Sequence, residues 1–341
     1  MKSALIESIR SKTIPLLLVL SILLYSCQRR APLLIKRHRI LMGTLVEISL
    51  VGGDEEKAEG AIHDAFDEMK RVEELMSGRI SGNDVSRINQ SAGIKPVKVS
   101  AEVLKVIRRA NEISRESGGC FDISIGALLE LWGFEGDGDR LPGEDEVSRV
   151  LHSVNYRMIY VDEMASTVEL KRKGMRIDLG GIAKGYAVDR AFELLTSRGY
   201  RNLIVNAGGD MRVGGKKIHS PWVIGIQDPR DRSRMLATFD PSDICVATSG
   251  DYERYFEKDE IRYHHLLNPF TGFPARQCRG VTILAKDALS ADALATAAFV
   301  MGPKRGLALI KAMEGVEGLI VSADGEIIVS EGLKGKLQFT D

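Results

Sequence analysis

Cysteine is scarce in this chain and patternless. Four occur in 341 residues, at 27, 120, 245 and 278, and no two form a CxxC pair. Cys27 stands apart in an N-terminal leader, and the other three cannot all pair with one another. No disulfide framework and no cysteine-type zinc site are expected, only ordinary core or surface thiols. An excess of one charge is also missing. Lys and Arg number 47, Asp and Glu 47, for a formal net charge of zero. That balance removes the bulk electrostatic case for a nucleic-acid partner or for binding to an anionic membrane surface. No repeat of solenoid period and no low-complexity segment is found. Neither phosphate-binding fingerprint is present. No Gly-Lys-Ser/Thr follows four spacer residues, and no GxGxxG opens a helix.

An apolar run long enough to span a bilayer is lacking too. The leader's run, Ile14 to Tyr25, has twelve residues. That is short for a mature transmembrane helix and suits a signal-peptide core behind the basic Lys2, Arg10 and Lys12. "LYSC" resembles a bacterial lipobox, with Leu24, Tyr25 and Ser26 before the cysteine that becomes lipidated. Residues 1–27 are therefore expected to be a lipoprotein signal peptide, 28–38 a basic tether, and 39–341 the folded domain. This places the domain outside the cytoplasm, anchored to a membrane and facing the periplasm.

What is there is ordinary globular composition, 44% hydrophobic and 28% charged. "RHRILMGTLVEISLVGG" reads as a strand with an early glycine. Residues 54–77 carry an amphipathic helix with Ala61, Ala65, Met69, Val72, Leu75 and Met76 on its apolar stripe. A second helix runs from a Ser100 cap to Gly118. Residues 120–134 begin strand-like and turn aromatic. A short helix and a hairpin follow. "MRIDLGGIAKGYAVDRAFELLTSRGYRNLIVNAGGD" reads as strand, glycine turn, helix and strand, a β-α-β arrangement. Strands at "WVIGIQ", "ICVATSG" and "VTILAK", two helices, and strands at "GLIVSA" and "EIIVS" complete the chain. The expected fold class is α+β, or mixed α/β, in one domain with β-sheets flanked by helices.

Three places carry possible chemistry. At Asp178–Lys184 a glycine pair leads from strand to helix. The helix start offers free N–H groups, and Lys184 adds a positive charge suited to a phosphate. The same turn also serves as a plain connection with Lys184 in solvent. At "RYHHLLNPFTGFP", His265 sits beside a turn and suits a proton acceptor near neutral pH, or else a hydrogen bond within the turn. At "LSADALATAAFVMGP", Asp292 and Thr296 lie four residues apart on one face of an apolar helix. A buried carboxylate needs a partner. A hard cation such as Mg²⁺ would supply one, and so would helix capping by Asp292 with Thr296 bonded to its own backbone.

At these residues the sequence resembles the ApbE-type FAD:protein FMN transferases. The likeness rests on ordered motifs that cover most of the chain. They are "MGT" at 42–44, "MSGRISGNDVSRIN" at 76–89, "GGCFDISIGALLELWGF" at 118–134, "DLGGIAKGYAVD" at 178–189, "NAGGD" at 206–210, "TSGDYERYF" at 248–256, "HHLLNPFTGFP" at 264–274 and "LSADALATAAFVMG" at 289–302. The resemblance implies Mg²⁺-dependent cleavage of FAD, transfer of FMN to a threonine hydroxyl of a partner flavoprotein, and release of AMP. FAD hydrolysis and flavin binding without turnover are the alternatives. The implied acceptor is a flavin-bearing subunit of a membrane redox pump or an extracytoplasmic flavoprotein. Asp292 and Thr296 match side-chain metal ligands, and Gly181 matches a backbone-carbonyl ligand. Met42, Cys120, Phe121, Asp122, Asp178 and Lys184 match flavin-nucleotide contacts. His265 matches the residue that activates the acceptor hydroxyl. Two positions depart from the pattern. Arg79 stands where some relatives carry a flavin-stacking tyrosine, and Asn268 where many carry aspartate.

Overall fold

The computed structural model describes residues 31–134 and 140–340. The leader through Cys27, the first tether residues and loop residues 135–139 lie outside the described residues. The chain opens as a hairpin rather than the single strand expected. β1 (Leu33–Leu41) and β2 (Thr44–Gly52) pair antiparallel around a two-residue turn. Met42 and Gly43 both take positive φ there, 52° and 71°, as a type I′ turn demands. β1 begins inside the stretch expected as a tether, because Leu33 to Arg39 pair with β2 and Ile35 enters the core.

Helices α1 (Glu55–Met76) and α2 (Asp84–Gln90) follow, each capped by a side chain, Asp54 and Asn83. Next come β3 (Val97–Lys98), α3 (Ala101–Glu116), α4 (Gly126–Trp132), α5 (Glu144–Leu151), β4 (Ile159–Asp162) and β5 (Thr167–Leu170). α6 (Ala183–Ser197) leads to β6 (Leu203–Ala207), β7 (Asp210–Gly214), β8 (Ile224–Gln227), β9 (Met235–Phe239) and β10 (Ile244–Gly250). The hairpin β11 (Tyr255–Lys258) and β12 (Ile261–His264) precedes β13 (Cys278–Ala285). α7 (Ala288–Met301), α8 (Pro303–Ala312), β14 (Glu317–Ser322), β15 (Ile327–Val329) and β16 (Gln338–Phe339) end the chain.

The main sheet has the order β1-β2-β6-β7-β10-β13-β14-β15, and every neighbouring pair in it is antiparallel. The β-α-β reading therefore fails at its first strand. Residues 174–179 form only an isolated bridge, Ile125 to Arg176. Asn89 occupies the place of a neighbouring strand. Its carboxamide accepts from Ile177 N at 2.8 Å and donates to Ile177 O at 3.0 Å, so the segment's polar groups are met without a ladder. Residues 120–125 likewise form turns rather than a strand before α4.

Side-chain alternation decides what covers each face of the sheet. Val46, Ile48, Leu50, Ala247, Val281, Ile283 and Ile320 point to the helices. Val213, Val246, Leu284, Leu319 and Val321 point the other way, against Ile224, Ile226, Leu236 and Phe239 of the small sheet β8-β9-β16. α7 lies at the centre of the helical layer. It packs on β10, β13, α6 and α8 and is buried nearly all round, as its unbroken apolar character requires. A third cluster joins α4, α5 and the β11–β12 hairpin around Trp132, Phe134, Phe256 and Tyr263. The three described cysteines, Cys120, Cys245 and Cys278, are buried free thiols.

Candidate active site

A cavity of about 390 Å³ opens where the helical layer meets the ends of the central strands, within the usual size range of ligand sites. Met42, Cys120, Phe121, Asp122, Asp178, Gly181, Lys184, His265, Asp292 and Thr296 all line it. The ten residues assigned a site role from the sequence thus meet here, although Met42 and Thr296 stand 254 positions apart in the chain, while Asn268 does not line the cavity.

The inner end is built on two helix starts. The N-cap position of α6, Ile182, offers no side-chain acceptor, but the expected free N–H groups are largely taken: Ala183 N donates to Leu179 O at 2.7 Å and Gly185 N to Asp292. Lys184, one residue into α6, pairs through Nζ with Asp210 Oδ2 at 2.7 Å. Burial works against the ammonium charge, but the carboxylates of Asp210 and Asp292 outweigh it and raise the lysine pKa. Asp210 was not among the residues singled out. It closes the "NAGGD" turn, and that buried acidic residue directly after a glycine turn was the available signal.

Asp292 is 5% exposed. Its Oδ2 accepts from Gly185 N at 2.9 Å. Removal from water, reinforced by the charge of Asp210, pushes the carboxyl up to about 8. Capping is not its role, because Asp287 caps α7 by accepting from Ser290 N at 2.7 Å. Thr296 does not bond back to its own helix either. Its hydroxyl lies 3.2 Å from Ser249 Oγ. A side chain on Gly181 would come within 3.6 Å of Thr296 Oγ1 and 3.3 Å of Phe121, so the glycine backbone runs close beside the threonine.

The mouth is built on turns. Arg79 and Arg254 each donate to Phe134 O at 3.1 Å. The departure from tyrosine thus places a guanidinium on the cavity wall. His265 lies at the base of the β11–β12 hairpin, half-buried. Its Nδ1 donates to Arg254 O at 3.2 Å. That bond selects the Nδ1–H tautomer and leaves Nε2 as an acceptor. Withdrawal from water, with the nearby charge of Arg254, pushes the ring down to about 3 and keeps it neutral. Asn268 serves its own turn, accepting from Phe270 N at 2.9 Å.

The remaining lining residues divide between contact and support. Both oxygens of Asp122 are occupied within the chain, by Ser124 N at 2.8 Å, Ser124 Oγ at 2.7 Å and Tyr156 N at 2.7 Å. Its carboxylate therefore ties the 120–125 turns to the loop before β4. Asp178 Oδ1 accepts from Gly180 N at 2.7 Å and shapes the glycine turn. Cys120 Sγ faces Arg305, whose guanidinium lies 3.8 Å away. Glu73 and Glu253, not singled out from the sequence, also line the wall.

The motifs that resembled a family therefore surround one cavity. The chain matches the model of the ApbE family over residues 42–320. It is 31% identical over 322 residues to the FAD:protein FMN transferase of Treponema pallidum, with 89% of each chain covered. To that of Vibrio cholerae it is 34% identical over 263 residues, covering 75% of this chain and 78% of the relative. Among solved structures, the ApbE protein of Thermotoga maritima matches with a TM-score of 0.83 at 37% identity, over 89% of this chain and 99% of that one. The flavin transferase ApbE of Vibrio cholerae matches with a TM-score of 0.79 at 29% identity, over 89% of this chain and 99% of that one. The likeness extends through both the sheet and the cavity motifs, and the chain belongs to the ApbE family.

Proposed function

We propose that this protein transfers FMN from FAD to a threonine hydroxyl of a partner flavoprotein and releases AMP. The observation that carries this reading is the inner end of the cavity. A buried carboxylate, Asp292, faces a lysine ammonium across a helix N-terminus, with a neutral histidine on the same wall.

The donor set fits Mg²⁺. Asp292, the Thr296 hydroxyl and the Gly181 carbonyl offer only oxygen, the preference of a hard cation. Asp292 accepts from Gly185 N through Oδ2, and burial raises its carboxyl, a desolvation that a bound cation would offset. The wall also carries Glu73, Asp122, Asp178, Glu253 and Asp292 against Arg79, Lys184 and Arg254. A diphosphate entering there meets carboxylates as well as cations. When bound, Mg²⁺ would neutralise diphosphate charge and stabilise the departing AMP phosphate.

The chain's own residues do the rest. Lys184 holds the diphosphate oxygens. His265 Nε2 accepts the threonine proton as that oxygen attacks the FMN phosphorus. The phosphorus–oxygen bond to AMP breaks, and a threonine–FMN phosphoester forms. The basic, apolar leader ending at Cys27 supports lipid anchoring at an extracytoplasmic membrane face, where such an acceptor would be met.

The test combines the protein with FAD, Mg²⁺ and a threonine-bearing acceptor domain of a flavin-linked redox pump. Covalent flavin on the acceptor, read by mass and in-gel fluorescence and abolished by EDTA, is the expected result. Metal-dependent release of FMN and AMP without labelling would replace transfer with hydrolysis. FAD bound and left intact would make the protein a flavin carrier.

A further inference from the structure

Asp189 lies outside the cavity lining and takes no part in the chemistry above, yet it is 6% exposed and fully engaged. Its Oδ1 accepts from Arg212 Nη1 at 2.7 Å, and its Oδ2 from Leu289 N at 3.0 Å. The first bond completes a ladder between α6 and β7. Lys184 on the helix meets Asp210 on the strand, and Asp189 on the helix meets Arg212 on the strand, both at 2.7 Å. Five helical residues advance ~7.5 Å, and two strand residues ~6.8 Å, so the two pairs keep step. Sliding α6 by that distance would set Asp189 against Asp210 or Lys184 against Arg212. Either slip opposes like charges.

The second bond is half of a reciprocal pair between α6 and α7. Asp189 of α6 accepts from the Leu289 N–H of α7, and Asp292 of α7 accepts from the Gly185 N–H of α6 at 2.9 Å. The helices touch so closely there that a Cβ on Gly185 would lie 2.1 Å from Ala288 O. The start of α7, and with it the Asp292 carboxylate, is therefore referenced to α6. α6 is in turn referenced to the sheet.

We propose that Asp189 is a positioning residue for the metal site: by holding α6 on β7 and the first turn of α7 on α6, it sets where the Asp292 carboxylate stands. This rests on the metal assignment made above. The test measures Mn²⁺ binding to the full chain by the loss of the free-ion EPR signal, and FAD binding in EDTA by flavin fluorescence. Asp189→Ala is expected to weaken Mn²⁺ binding at least ~10-fold, as changes behind metal ligands typically do, while metal-free FAD affinity stays within about threefold. Asp189→Asn keeps an acceptor oxygen for Leu289 N–H and is expected to recover part of the loss. Should Asp189→Ala fail to fold, Arg212→Met decides, since it removes the ion pair and spares the Leu289 bond; it is expected to weaken Mn²⁺ about threefold or more. Unchanged Mn²⁺ affinity in the folded variants, alongside its loss in Asp292→Ala, overturns the proposal. So does a parallel loss of Mn²⁺ and metal-free FAD binding, which would mark a general structural role. If Asp292→Ala itself retains Mn²⁺, the metal assignment falls instead.

Discussion

The inner end of the cavity and its mouth place their functional groups by different means. At the inner end, Asp292 and Asp210 are buried, and Lys184 is fixed between them on the first turn of a helix. At the mouth, Met42, Arg79, Arg254 and His265 are half-buried or exposed and stand on turns and hairpin ends. Charges whose spacing sets the chemistry gain from rigid helix starts, where packing leaves one geometry. Groups that must admit a large ligand, and beside it a second protein, gain from loops, whose conformation costs little to change. The price of the inner arrangement is desolvation, visible in the raised carboxyl of Asp292. The price at the mouth is backbone strain at a single residue, Met42, held at a φ of 52°.

The largest expected effect comes from removing the inner carboxylate. Asp292→Ala should abolish acceptor labelling at ordinary Mg²⁺, measured by in-gel flavin fluorescence; near-normal turnover would break the distinction between the two ends. His265→Ala, at the mouth, should leave FAD binding intact and slow transfer by about 10²–10⁴-fold, the usual worth of a proton acceptor. Loss of FAD binding instead would make that histidine structural. Lys184→Met leaves Asp210 buried without its cation and should destabilise the fold by about 3–5 kcal/mol in urea unfolding. Adding Asp210→Asn should restore part of that loss, whereas no restoration would show that the ion pair is not what the lysine contributes.

Two smaller effects concern the mouth. Burial pushes His264 down to about 4 and His265 to about 3. The unfolded chain binds protons there from about pH 6.5 downward, while the native chain does not. Through these two histidines stability is unaffected above that pH and falls as pH drops toward 4, while Asp292, raised to about 8, acts in the opposite sense. Comparing urea midpoints at pH 7 and pH 5, His264→Gln should shift the difference toward greater stability at pH 5 than in the parent chain. The smallest effect is expected at the hairpin tip. Met42→Asn suits the left-handed position and should stabilise the protein by about 1 kcal/mol, with a rise in the FAD dissociation constant because a cavity side chain is lost. A gain in stability without any change in FAD binding would remove Met42 from the site.

Much of this arrangement was legible in the chain. The amphipathic period of α1, the Ser100 cap of α3 and the short apolar, β-branched runs of β10 and β13 are local patterns, and local physics settles them. The site motifs were legible for the same reason. Each is a short run whose glycine, charge or hydroxyl has a conformational or chemical consequence by itself. Residues 174–179 were misread because their strand-like pattern is answered by the Asn89 side chain, 88 residues distant, rather than by another strand. Asp122 lines the cavity, and its oxygens also accept from Ser124 and Tyr156, a support that only the fold reveals. Arg254 was passed over because its position follows from a hairpin base, which has no nearby sequence signature, and Asp210 because only its burial against Lys184 sets it apart from any other acidic residue after a glycine turn.

The sequence by itself determined the helices, most of the strands and the chemical types at the site, because propensity, capping and periodicity act over a few residues. Only the tertiary structure decided that the sheet is antiparallel throughout. It alone brought Lys184 against Asp210, turned Asp292 from a possible cap into an inward carboxylate, and left His265 with a free Nε2. Those outcomes depend on which buried polar groups meet across long stretches of chain, where an unpaired charge or hydrogen bond is costly enough to select one packing.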